Sequence, residues 1–173
     1  HRGSAIKTRY RRKWNNSDLN AVIYAGSLNT FKKNRENVAA IDTQFSSRIG
    51  DGWDVNLRAR RASQDTFMRR YKFDSDTWLK SSAVAERIEP NRYYYVEASD
   101  AQSLSAGTAA DHQTTILPYV FYEDTKPGFR NTQSLKTEIS AIQLDNDEGH
   151  DMSRWVGNVE LTDQLSDGTL KTE

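Results

Sequence analysis

The chain has 173 residues, 36% of them hydrophobic and 28% charged, and 24 Lys/Arg balance 24 Asp/Glu. Its 4 Trp, 8 Tyr and 6 Phe argue against disorder. The absence of Cys excludes disulfides, thiolate catalysis and thiolate metal sites, and no apolar run is long enough for a transmembrane helix.

The neutral total hides an asymmetry. Residues 1–80 carry 17 Lys/Arg against 8 Asp/Glu, and residues 81–173 carry 7 against 16. Either the halves interleave in space and their fields cancel, or the molecule has a positive and a negative side, which suits head-to-tail stacking of copies.

In chain order, His1-Arg2-Gly3-Ser4 lacks Met and suggests a processed or engineered start, with no signal-peptide pattern. Lys7, Arg9, Arg11, Arg12 and Lys13, beside Tyr10 and Trp14, read as a basic arm over residues 1–16. Such an arm suits nucleic acid or an acidic surface, or forms a solubilising first strand. Residues 17–173 read as one β-rich domain.

Ala21–Ala25 is a strand, and Phe31–Asn37 a weak helical candidate. Ala39, Ile41, Thr43 and Phe45 form one face of a strand, and Trp53 to Arg60 alternates apolar with polar residues. Ile49-Gly50-Asp51-Gly52-Trp53 carries the turn chemistry to join the two as a hairpin.

A second, basic hairpin is expected next. Arg58, Arg60 and Arg61 precede the turn-like Ala62-Ser63-Gln64-Asp65, and a strand over Thr66–Phe73 brings Arg69, Arg70 and Lys72, interleaved with Phe67, Tyr71 and Phe73. Pairing these arms would crowd like charges, and a bound anion would relieve them. The alternative is a solvated face matched by the acidic half.

Asp76 is placed to cap a helix over Thr77–Glu89, with Trp78, Leu79, Ala83 and Val84 for burial and Pro90 as its stop. Tyr93–Ala98 reads as a strand, and alternation would expose at least one of Tyr93, Tyr94 and Tyr95 as an interface anchor. Ser99–Gln113 reads as a long loop. In the strand Thr115–Tyr122, Pro118 demands an edge position or a bulge. Glu123–Asn131 is a loop with a Lys126-Pro127-Gly128 turn.

Two more alternating strands follow, through Leu135, Thr137, Ile139 and Ala141 and through Trp155, Gly157, Val159 and Leu161. Between them, Asp145–Asp151 fails the EF-hand template and reads as a solvated acidic turn. His1, His112 and His150 have no ligand spacing, and no nucleotide or hydrolase motif occurs, so neither metal, cofactor nor catalytic residue is expected.

The expected fold is mainly β: an antiparallel sandwich or closed barrel of about eight strands with one short helix. The first functional expectation is a non-enzymatic, self-assembling structural protein of virion-shell, tail or surface-filament type, forming a homo-oligomer. The second is a nucleic-acid or polyanion-binding β-module using Arg58, Arg60, Arg61, Arg69, Arg70, Lys72, Arg11 and Arg12. The third is an outer-membrane or envelope β-barrel, because 37–49, 53–61, 133–144 and 153–163 are long enough to span. Arg61 on an otherwise apolar face and a mean hydropathy of −0.84 count against membrane contact.

Overall fold

The computed structural model describes residues 3–29, 35–104, 114–130, 132–146, 150–165 and 168–172. The chain is a meander of strands β1 (Ala5–Trp14), β2 (Ser17–Asn29), β3 (Arg35–Ile49), β4 (Trp53–Ala62), β5 (Trp78–Glu89), β6 (Arg92–Ser103), β7 (Thr114–Pro127), β8 (Gln133–Asn146), β9 (Met152–Leu165) and β10 (Gly168–Thr172), with helix α1 (Phe67–Arg70) between β4 and β5. The strands form one antiparallel sheet whose spatial order is the chain order, β1 through β10. Among the described residues the sheet does not close on itself. The mainly β, antiparallel expectation with one short helix is met, while an eight-stranded sandwich or closed barrel is not shown among the described residues.

Local sequence explains some elements and is overruled in others. The β3–β4 hairpin forms as expected, with Gly50 and Gly52 at φ +50° and +90°, where a side chain would be strained. The segment expected to be a helix is β5, which is laddered to β4 from Trp53↔Arg87 to Arg58↔Ser82 and to β6 along its whole length. Two sets of ladder bonds outweigh the modest helix propensity of its alanines. The strand expected over Thr66–Phe73 is instead α1 followed by a turn in which Lys72 adopts φ 57°.

Arg35–Asn37, placed in the weak helical candidate, belong to β3; residues 31–34 lie outside the described residues. Ser99–Ser103 continue β6, and Glu123–Pro127 continue β7. Pro118 lies inside β7, which has a neighbour on each side, and the register shifts between Ile116 and Tyr119 where its missing N–H falls.

Connections differ at the two ends of the sheet. Among the fully described connections, residues 15–16, 50–52 and 90–91 are tight turns at one end, and residues 63–77 form a long connection at the other. The strands are also staggered. Trp14, last in β1, leads across the register through Ser17, Ser47, Val55, Ala85, Val96, Val120 and Ala141 to Trp155, near the start of β9. With about 3.3 Å per residue and 4.8 Å per strand, this drift of roughly ten residues over eight steps corresponds to a tilt of about 40° when the short turns are level.

Burial is concentrated at the long-connection end. Val22, Tyr24, Val38, Ala40, Ala62, Phe67, Met68, Leu79 and Leu104 form the hydrophobic core, with Tyr71 and Phe73 against it. Phe67 is 0% exposed, so α1 folds back onto the sheet. The fold opens for it beyond Arg58↔Ser82, where β4 and β5 part. There Ser81 Oγ accepts from the Arg60 N–H and donates to its carbonyl, both at 3.0 Å. Gln102 accepts from the Ala62 N–H at 2.9 Å and donates to its carbonyl at 2.8 Å. Side chains thus replace the missing ladder.

The rest of the sheet is bare. Total accessible surface is 12093 Å², against about 8,600 Å² for a compact monomer of this mass.

Candidate functional site

Period-two alternation divides the strands between two faces. On one, Ile6, Tyr10 and Trp14 of β1 stand beside Ile23 of β2, Ile41 and Ile49 of β3, and Leu57 of β4. Val96, Val120, Ile139, Trp155 and Val159 continue the face, and every one of these side chains is exposed. Small residues fill the intervening places: Ala21, Ala59, Ala83, Ala85, Ala98 and Gly157.

Toward the short-turn end this face carries an aromatic row. Trp53 and Tyr94 rings lie 5.9 Å apart and Tyr94 and Tyr122 5.1 Å apart, while the Arg12 guanidinium sits 4.9 Å from the Trp14 ring. Charges on this face gather near strand ends with partners. Arg61 pairs with Asp100 at the long-connection end. Asp124, only 7% exposed, pairs with Arg92 at 3.2 Å and Lys126 at 2.7 Å at the other end.

The second face is charged. Here lie Lys7, Arg9, Arg11 and Lys13 of β1, then Asp42, Arg58 and Arg60, then Glu86, Glu97, Glu123 and Glu138. Because strand order equals chain order, the basic and acidic halves occupy opposite ends of the sheet instead of interleaving. Ile88, Met152 and Val156 are apolar exceptions on this side.

The best-defined cluster on the charged face centres on Arg60, 6% exposed. Its guanidinium pairs with Asp74, with Asp76 at 2.8 Å and with Asp42 at 3.4 Å, tying β3, β4 and the 63–77 segment together. Asp42 also meets Arg58 at 3.4 Å. A charge so enclosed requires several carboxylates to offset its desolvation.

No protein-family model matches this sequence, and no curated protein matches it significantly. The geometry carries the reading alone.

The sequence-predicted residues scatter accordingly. The basic hairpin does not form: Arg58, Arg60 and Arg61 are all matched by carboxylates, while Arg69 and Arg70 stand on α1 with Lys72 after it. The basic arm is a strand, paired over its whole length with β2, and alternation sends Arg11 and Arg12 to opposite faces.

None of the three tyrosines is freely exposed. Tyr94 belongs to the aromatic row, while Tyr93 and Tyr95 lie on the charged face, donating to Glu86 at 3.2 Å and Glu97 at 2.8 Å. His1, His112 and residues 147–149 of the acidic turn lie outside the described residues. Sequence reasoning missed the Arg60 cluster and the aromatic row. Asp74 and Asp76 flanking a Ser were a readable signal for the first. For the second, the signal was that Trp14, Trp53, Tyr94 and Tyr122 all fall near short turns.

Proposed function

We propose that this chain forms wall of an outer-membrane-type β-barrel, with its apolar face against lipid acyl chains and its charged face toward an aqueous interior. The single observation that carries the reading is the continuous exposed apolar face running from β1 to β9. A monomer in water rarely leaves so extended a patch uncovered. In lipid the same face is expected, with aromatic residues toward the headgroups.

Three further features support it. The stagger corresponds to the tilt of spanning barrels. Tight turns at one end and the long 63–77 connection at the other suit the asymmetry of outer-membrane barrels, and on this reading the short-turn end is the periplasmic one. Arg61, an apparent obstacle, stands beside Ile41 on the apolar face and has its charge matched by Asp100. The polar mean hydropathy is natural for such a wall, since it averages a lipid face with a wet one. No described helix is long and apolar enough to cross a membrane, which says nothing about strands.

Self-assembly is the second reading, favoured by the spatial separation of the basic and acidic ends. Dilution of the urea-dissolved chain into phosphatidylcholine vesicles, an alkaline carbonate wash and flotation separate the two. The membrane reading expects β-structured protein that floats with the vesicles. Sheet-rich protein that stays at the bottom as a soluble oligomer contradicts it and favours self-assembly.

A further inference from the structure

We infer that the corner between the charged face of β1 and the α1 segment is a binding site for an extended chain of phosphate groups. The inference does not need the membrane reading, since this face is polar in either case.

Lys7, Arg9 and Arg11 alternate along one strand, so their side chains rise from the same face at intervals of about 6.8 Å. Among the described residues none of them has a carboxylate within ion-pair distance, and the same holds for Arg69, Arg70 and Lys72. Their basic neighbours differ: Lys13, Arg48, Arg58, Arg60 and Arg61 each have an acidic partner. Arg12, Arg130 and Arg154 also lack such a partner among the described residues; Lys7, Arg9 and Arg11 are set apart by sharing one face of one strand.

Packing places the turn that carries Lys72 near Lys7. The Lys7 ammonium lies 5.3 Å from the Tyr24 ring, and Tyr24 packs on Phe73 at 4.8 Å. Tyr71 stacks on Phe73 and donates to the Ser27 carbonyl at 2.6 Å, fixing the segment that carries Lys72 beside β2, the strand next to β1. Further along β1, Arg11, Asn20 and Gln44 line a hollow of about 450 Å³ together with Lys13 and Asp18, which pair at 3.9 Å. Like charges spaced along one strand face repel, and a multivalent anion removes the cost. Arg in particular suits phosphate through its forked donors. A phosphate chain is favoured over single-stranded nucleic acid because Tyr24 is only 5% exposed and packed against Phe73, leaving no ring face there on which a base would stack.

The test is calorimetric titration of the folded chain with inorganic polyphosphate at low and moderate salt. It is repeated with Arg9→Ser/Arg11→Ser, with Arg69→Ser/Arg70→Ser, and with the charge-matched control Arg130→Ser/Arg154→Ser, each checked for retained sheet by circular dichroism. The cluster variants are expected to lose affinity by about tenfold or more, and their salt slope by roughly 0.7 per cation removed. The control is expected to change affinity less than about twofold. Equal losses in cluster and control variants would overturn the site, leaving only diffuse charge. Tighter binding of an oligothymidine of equal charge would overturn the phosphate-chain assignment in favour of nucleic acid.

Discussion

Along β4, Arg60 and Leu57 lie three residues apart on opposite faces and are treated in opposite ways. Arg60 is enclosed by Asp42, Asp74 and Asp76, under a segment whose Phe67 is wholly buried. Leu57, 42% exposed, has little over it, and neither have Ile23, Ile41 or Val159. A protein folded for water usually encloses the leucine and leaves the arginine wet. On the proposed reading, the inversion arises because the solvent is not the same on the two sides. On the charged face the chain supplies its own counter-charges and a small core. On the apolar face it supplies a surface and leaves the covering to its surroundings.

The largest expected effect is on the enclosed side. Arg60→Ala should cost about 3–5 kcal/mol, because three carboxylates lose their shared partner at a buried site. Urea unfolding should report it, and trypsin should cut faster after Arg69 or Arg70 as the segment loosens. A variant as stable and protease-resistant as the parent would show that the cluster is not what holds α1 down.

On the apolar face, Leu57→Lys should weaken folding into vesicles by about 2–4 kcal/mol, the cost of a cation near the bilayer midplane. Asn56→Lys, one residue away on the charged face, should cost less than about 0.5 kcal/mol. Urea titration in the presence of lipid measures both, and equal effects would erase the distinction between the faces. Trp53→Ala, which removes the contact with Tyr94 at 5.9 Å, should lose about 0.5–1.5 kcal/mol beyond the area effect in the same assay. Smallest of all, Lys72→Gly should raise stability by up to about 1 kcal/mol by relieving the left-handed φ of 57°.

How much of this was legible in the sequence follows from which forces act locally. Glycines at 50 and 52 and the alternation of β3, β4, β8 and β9 sufficed to place those strands, because turn chemistry and period two are short-range signals. β5 was misread because Ala83, Val84 and Ala85 suit either a helix or small outward residues of a strand, and only its neighbours decide. The 66–73 segment was misread because burial of Phe67 and Met68 draws it out of the sheet. Asp74 and Asp76 hinted locally at a partner for Arg60, but the convergence of Asp42 from β3 on the same guanidinium depends on strand pairing. The basic strand β1 could be listed by residue, but which cations lack partners depends on strand order, which no periodicity encodes.

The central claim is that the face bearing Trp14, Trp53 and Trp155 meets lipid. Its most direct test is tryptophan fluorescence of the vesicle-bound chain, using phosphatidylcholines brominated at different depths of the acyl chain. Single-tryptophan variants that keep Trp14, Trp53 or Trp155 should all be quenched, strongest for bromines near the headgroup, because Trp sits at the interface. Unquenched emission from all three, in a chain that has kept its sheet, would contradict the account and return this face to contact with protein.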